Sequence, residues 1–372
     1  MIIGFDAKRA FFNRSGLGSY SRNLLTSFFR FYPENKYILY SPREKNRIAF
    51  SDQGKYILRT PEKAMHKTFP SLWRTKGISR QIIDDSPDIY HGLSSELPVS
   101  IKSNKIKTIV TVHDLIYMRY PGLYKAIDRN IYFRKTKHAC NNADHIIAIS
   151  EQTKTDIVNY TGTDPKKISV IYQDCHPSFY EIPNEVTKEE LQSKYSLPVQ
   201  YLLYVGTIEE RKNLLSIIKA LEINGPDIPL VVVGKKTSYY KKVSSYIRRN
   251  NIKNIIVLDT LNNEDLPGIY HMSVCFIYPS VFEGFGIPII EALVSGVPVI
   301  TSKGSCFREA GGPGSVYIDP YKPEELSKAI FSIISDKNRS DQMISTGREY
   351  AQKFRAEVIA EQYINLYRSV IE

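Results

Sequence analysis

The sequence predicts an α/β protein made of two Rossmann-like doubly wound domains, each a parallel sheet flanked by helices, facing each other across a cleft. Three observations carry this. The chain has 372 residues, too many for one ordinary core and comfortable for two. Short apolar runs alternate with longer amphipathic segments from end to end, the pattern of stacked β-α units. Midway, the segment HPSFYEIPNEVTKEELQSKYSLP interrupts the alternation with three prolines and mixed polarity, and reads as a linker plus a short helix.

In the first half the runs IIGFDA, KYILYS, TIVTVHD, HIIAIS and ISVIYQ read as buried strands, with helices over 16–32 and 125–141. In the second half YLLYVG, PLVVVG, IIVLD, VCFIYPS and PVITS are the strands, with helices over 213–222, 238–250, 286–295 and 323–335. An amphipathic run over 339–371 closes the chain. The boundary is placed near residue 185. This gives domains 1–185 and 186–352, with a last helix of about 353–372 able to pack back on the first domain.

Composition narrows the function classes. The chain is 42% hydrophobic and 24% charged, as in a soluble globular protein, and no run of eighteen apolar residues spans a bilayer. MIIGFDAKRA enters a strand directly, which predicts a cytoplasmic rather than an exported protein. Cys140, Cys175, Cys275 and Cys306 are scattered without metal spacing, and are expected as free thiols in a reducing compartment. The net charge of +11 is uneven: residues 1–180 hold 28 Lys and Arg against 16 Asp and Glu, while 181–372 hold 22 against 23. The basic half therefore points to an anionic partner: nucleic acid, phospholipid headgroups or a pyrophosphate-bearing substrate.

The richest segment runs from Pro279 to Leu293, PSVFEGFGIPIIEAL. A strand ends at Tyr278-Pro279, a Gly-rich turn follows, and a helix opens near Gly286. Gly284 and Gly286 let backbone N–H groups approach a ligand, and a helix N-terminus favours an anion such as a diphosphate. Glu283 precedes the turn and Glu291 lies on the helix, so the pair is placed to bracket one small ligand. Carboxylates accept paired hydrogen bonds from vicinal hydroxyls.

This stretch, with its Glu-x7-Glu spacing, closely resembles the donor site of the retaining family 4 (group 1) glycosyltransferases. The resemblance extends over nearly the whole chain, through Gly16-Leu17-Gly18-Ser19-Tyr20, Thr111-Val112-His113-Asp114-Leu115, Ala148-Ile149-Ser150, Val205 to Asn213 and Thr301 to Ser305. It implies the GT-B fold and transfer of a sugar, with retention, from a nucleotide diphosphate sugar. It also implies residue roles. Glu291 would bind the donor ribose, and Glu283 the transferred sugar. Amides of Phe285, Gly286 and Ile287 would hold the diphosphate, with Lys212 and Arg211 supplying positive charge. Where many relatives carry an arginine after the strand-loop glycine this chain has Thr207, and Arg211 is the residue placed to compensate. In relatives the equivalent of His113 approaches the donor sugar. Gly16 and Gly18 either shape a loop beside the diphosphate or permit a tight strand-to-helix turn. Ser150 either touches the ligand or caps the next helix.

No convincing nucleophile is present, so retention is expected by same-face substitution, with His113 the only candidate base. No Asp-x-Asp motif appears, and neither metal nor other cofactor is expected. The Thr207–Asn213 loop looks like that of the mannosyltransferase branch, which favours GDP-mannose as donor, in cell-surface polysaccharide or lipopolysaccharide synthesis. Two basic, aromatic-rich stretches, His66–Arg74 and Arg119–Lys137, suit an anionic membrane surface or sugar rings. They point to a glycan or lipid-linked glycan acceptor. A nucleotide-sugar epimerase shares the fold and stays open. A basic protein binding membrane or nucleic acid without catalysis is the remaining alternative, although no nucleic-acid module is recognisable and no nucleic-acid partner is expected.

Overall fold

A computed structural model describes residues 1–13, 16–43, 54–69, 72–99, 101, 105–224 and 226–372. The chain divides into two compact units, Met1–Asp174 with Ala356–Glu372, and Cys175–Arg355. The division thus falls at Asp174/Cys175 and not near residue 185.

In the first unit β1 (Ile2–Asp6) leads into α1 (Gly16–Phe31), β2 (Lys36–Tyr40) and β3 (Ile57–Arg59). Then come α2 (Ile78–Asp85), β4 (Ile89–Gly92), β5 (Lys107–Val112), α3 (Ala126–Asn142), β6 (His145–Ala148), α4 (Glu151–Thr161) and β7 (Ile168–Val170). Among the described residues the sheet has seven strands in the order β3-β2-β1-β4-β5-β6-β7, all parallel. The strand order reverses between β1 and β4, where Phe5 pairs with His91. In an open α/β sheet, the carboxyl ends at such a reversal are where ligands bind.

The second unit repeats the plan. It runs through α5 (Glu185–Tyr195), β8 (Leu202–Val205), α6 (Leu214–Asn224), β9 (Leu230–Val233), α7 (Tyr240–Arg249), β10 (Ile255–Leu258) and β11 (Cys275–Tyr278). It continues with α8 (Ile287–Val294), β12 (Val299–Ser302), β13 (Val316–Ile318), α9 (Pro323–Ile334) and α10 (Lys337–Ala351). Six described strands are ordered β10-β9-β8-β11-β12-β13, again parallel, with the reversal between β8 and β11. Most strand residues of both sheets are buried and apolar, as the apolar runs of the sequence predict.

The closing amphipathic run is two helices. A 3-10 turn at Gln352–Phe354 and an extended Arg355 (ψ 143°) stop α10, and α11 (Ala356–Ile371) returns to the first unit. There Tyr363 packs edge-on against Phe28 of α1, and a buried polar chain ties α11 to the sheet. Tyr367 bonds to His91 (2.6 Å), His91 to Thr111 (2.8 Å), Thr111 to Tyr20 (3.0 Å) and Tyr20 to Tyr363 (2.9 Å). Every member is buried, so each polar atom needs its partner. All four cysteines are buried free thiols. Among the described residues no helix is long and apolar enough to cross a membrane, and no group of three His, Cys, Asp or Glu residues is placed to hold a metal ion.

Candidate functional site

Arg211, Lys212 and Glu283 of the second unit cluster at the β8/β11 reversal. After β8 the chain passes Gly206 and makes a 3-10 turn at Glu210–Lys212, ended by left-handed Asn213 (φ 56°). After β11 it runs through Ser280 and Glu283 to Gly286. The two loops are joined where Val281 N–H donates to Arg211 O (2.8 Å). This join brings Arg211 and Lys212 onto Glu283.

Glu283 is nearly enclosed, its side chain 12% exposed, with Arg211 Nη1 2.6 Å from one carboxylate oxygen and Lys212 Nζ 3.2 Å from the other. Tyr278 OH (2.9 Å) and Ser280 Oγ (3.0 Å) also donate to it. Burial alone would raise its pKa, but Lys212, Arg211 and these hydrogen bonds outweigh it and bring it down to about 2. Glu283 is therefore a fixed negative charge at neutral pH.

Arg211 is committed on three sides: to Glu283, to Glu209 (2.5 Å) and to the carbonyl of Phe282. Despite burial, the two carboxylates hold its pKa above the ordinary arginine value. Lys212 donates to Tyr278 OH (2.7 Å) and lies over that ring. The arginine expected to stand in for Thr207 is thus spent in an internal ion-pair network that positions Glu283, and Lys212 shares the same carboxylate.

Helix α8 starts beside this cluster. Gly286 takes φ +124°, a conformation that a side chain strains, and Pro288 occupies the first turn. No side chain caps the helix N-terminus. In this first turn Pro288 carries no N–H and Ile289 N–H donates to Gly286 O (2.9 Å), so Ile287 supplies the helix-start amide that an anion can complete. Carbonyls of the same turn point the other way: Cys306 Sγ approaches Phe285 O (2.7 Å) and Glu283 O (3.2 Å), and Ser305 Oγ donates to Glu283 O (3.1 Å). One turn along α8, Glu291 accepts from Tyr270 OH (2.9 Å). Burial pushes its pKa up to about 7, moderated by that hydrogen bond and by Lys212. The two glutamates therefore differ in charge state under the influence of one lysine.

In the first unit His113 follows β5 and is buried. Its Nε2 donates to Leu93 O (2.8 Å), and Gln173 Nε2 donates to its Nδ1 (3.1 Å). The ring meets Tyr20 edge-on at 4.6 Å. Burial pushes its pKa down to about 4, so the imidazole is neutral with both nitrogens engaged. Gly16 and Gly18 lie in the first turn of α1, not in a loop. A Cβ on Gly18 would stand 1.8 Å from Asn13 O, so this glycine allows the chain before α1 to cross the helix, whereas Gly16 faces open space. Ser150 caps α4, accepting from Thr153 N–H (3.0 Å).

The basic, aromatic stretches divide between core and surface. Trp73 is a core residue whose Nε1 donates to Gln81 (2.9 Å), while Phe69 and Leu72 are exposed. Pro70 and Ser71 lie outside the described residues. On α3, Phe133 packs inward, and Ile127 (75% exposed), Ile131 and Tyr132 face outward. Tyr278, Ser280, Tyr270 and Ser305 around the two glutamates, and in the first unit Gln173 beside His113, had no role in the sequence reading. Tyr278, Ser280 and Ser305 lie in the segments it singled out, whereas Tyr270 and Gln173 left no signal.

Comparison with known proteins bears on the same elements. Residues 187–350 match the family model described as Glycosyl transferases group 1, and residues 32–173 match Glycosyltransferase Family 4. O-antigen chain mannosyltransferase B of Escherichia coli is 28% identical over 287 residues, 75% of this chain and 74% of that one. O-antigen chain mannosyltransferase RfbU of Salmonella typhimurium is 29% identical over 226 residues, and the aligned region spans 60% of its length. Among solved structures, sucrose-phosphate synthase of Thermosynechococcus elongatus superposes with TM-score 0.78 at 18% identity, over 100% of this chain and 99% of that one. HepE of Anabaena in complex with UDP and glucose gives TM-score 0.76 at 17% identity, over 99% and 100%. At these identities the structural likeness shows the fold, which is GT-B.

Proposed function

Since this chain belongs to the glycosyltransferases of family 4 and group 1, we propose that it moves mannose from GDP-mannose, with retention and without a metal, to a glycan or lipid-linked glycan in cell-surface polysaccharide synthesis. The observation that carries the reading is the Glu283–Arg211–Lys212 cluster packed against the uncapped N-terminus of α8. It offers a fixed carboxylate for sugar hydroxyls beside one cation, Lys212, and amides for a diphosphate. Mannose and the surface-glycan setting rest on the O-antigen mannosyltransferases among the relatives.

In this reading Glu291 takes the ribose hydroxyls, and amides of Phe285, Gly286 and Ile287 take the diphosphate. Lys212 lends positive charge to the diphosphate as the bond from sugar C1 to phosphate oxygen breaks. The acceptor oxygen bonds to C1 on the same face, and its proton passes to the departing diphosphate. His113, neutral and engaged at both nitrogens, positions the sugar as a contact and takes no proton. Arg211 acts through Glu283. The outward apolar side chains of α3, among Lys125, Arg129 and Arg134, suit peripheral association with an anionic inner-membrane surface.

The test is transfer from labelled GDP-mannose to a mannose-terminated, lipid-linked oligosaccharide in excess EDTA, with the product linkage read by NMR. An α-linked product is expected. A β-linked product, or a strict Mg²⁺ or Mn²⁺ requirement, overturns retention or metal independence respectively. Flotation with anionic vesicles at low salt tests the membrane arm, and absence of binding overturns it.

A further inference from the structure

The first unit has its own charged cluster at its own strand-order reversal, and the donor reading does not use it. Asp6 is the last residue of β1, and Glu96 follows β4, the two strands flanking the reversal. Arg74 reaches between them, with Nη2 2.5 Å from Asp6 Oδ2 and Nη1 3.2 Å from Glu96 Oε2. Lys135 of α3 sits 3.1 Å from the other Glu96 oxygen. Lys8 feels the charges of Arg74, Asp6 and Glu96 together.

Three features set this cluster apart from a structural ion pair. Arg74 is 90% buried, and among the described residues its Nε has no hydrogen-bond partner. A buried donor left unmade costs about 1–3 kcal/mol, and such groups call for an explanation. Arg74 also lies on a π-helical turn, Trp73–Gly77, a distortion frequent at functional sites. Ser95, next to Glu96, is held at φ +56°, a strained position for a non-glycine residue.

We propose that Asp6, Arg74, Glu96 and Lys8 form a subsite for an uncharged hexopyranose, the terminal sugar of the acceptor, bound through vicinal hydroxyls. This rests on the transferase reading above. The charges choose the ligand. The four side chains sum to zero charge, two carboxylates against Arg74 and Lys8, so the subsite gives a phosphate or a uronic acid no advantage over a neutral sugar, and a cation would compete with Arg74 for the same oxygens. A diol fits both halves: its hydroxyls donate to the carboxylate lone pairs left over and accept from the guanidinium Nε and the Lys8 ammonium. The same device, two carboxylates bridged by one arginine at the reversal point, recurs in the second unit, where Arg211 joins Glu283 and Glu209.

The test is saturation-transfer difference NMR on the full chain with methyl glycopyranosides of mannose, glucose, galactose and rhamnose at millimolar concentration, with saturating GDP present. At least one glycoside is expected to bind, and about tenfold more weakly to Glu96→Gln and to Lys8→Met, a loss suited to a removed charged hydrogen bond. Lys135→Ala, at the rim, guards against misfolding of the first two and is expected to weaken binding less. Binding of no glycoside, binding that survives both variants, or preference for mannose 6-phosphate overturns the subsite. GDP binding measured in the same samples keeps the two readings apart. Its presence without glycoside binding sinks only the subsite, and its absence sinks the donor reading.

Discussion

Replacing Glu291 by glutamine isolates the most perturbed carboxyl of the donor site. In the wild type burial raises this pKa from 4.5 to about 7, against the opposing Tyr270 hydrogen bond and Lys212 charge. The fold therefore prefers the protonated side chain. Its contribution is complete below pH 4.5, declines as pH rises through the interval, and is lost above pH 7. A rise from 4.5 to about 7 is worth about 3 kcal/mol. Glutamine mimics the protonated acid, keeps an oxygen to accept from Tyr270 OH, and cannot ionise. The variant is expected to match wild type at pH 4.5 and to exceed it by up to about 3 kcal/mol at pH 8.5. For a unit this size that is roughly 6–12 °C in Tm. Calorimetry of both proteins from pH 4.5 to 8.5 reads the difference. Parallel Tm profiles would refute the burial of this carboxyl, and a variant less stable at pH 8.5 would refute the sign.

Arg211→Met leaves Glu283 and Glu209 without their shared partner in a poorly hydrated site. Unfolding in urea is expected to show a loss of about 3–5 kcal/mol, and a loss under about 1 kcal/mol would mean the cluster is solvated. Gly18→Ala drives a methyl into Asn13 O and is expected to cost about 1–3 kcal/mol by forcing a backbone shift. Gly16→Ala, facing open space, is expected to be neutral or stabilising, and equal effects at the two positions would contradict the crossing at α1. His113, pushed down to about 4, should add no ionisation to the rate profile between pH 5.5 and 8. A limb near pH 6.5 that vanishes in His113→Asn would show that the ring does take a proton.

The long apolar strands and the Glu-x7-Glu turn were legible because burial on both sheet faces and a loop-to-helix anion site each leave a local signature. β4 was not. Its residues read Ile-Tyr-His-Gly, and His91 is tolerated in the core only because Tyr367 and Thr111, from distant parts of the chain, bond to it. The last helix, expected at about 353–372, is α11, and its return is fixed by tertiary bonds to Tyr20 and His91 from distant parts of the chain. Gly18 packs against Asn13 O and Ser150 caps α4, and sequence alone cannot tell a packing glycine or a helix cap from a ligand contact. The Asp6–Arg74–Glu96 cluster draws on three separated segments, so no spacing announces it.

In the proposed reaction α8 and the Glu283 cluster hold a nucleotide diphosphate sugar. Thermal shift with GDP, UDP, dTDP and their sugars, on wild type and Glu291→Ala, tests it most directly. Ligand binding to the folded state alone must raise Tm. GDP and GDP-mannose are expected to raise Tm, and Glu291→Ala to abolish the rise. No rise with any nucleotide, on folded protein, would contradict this reading.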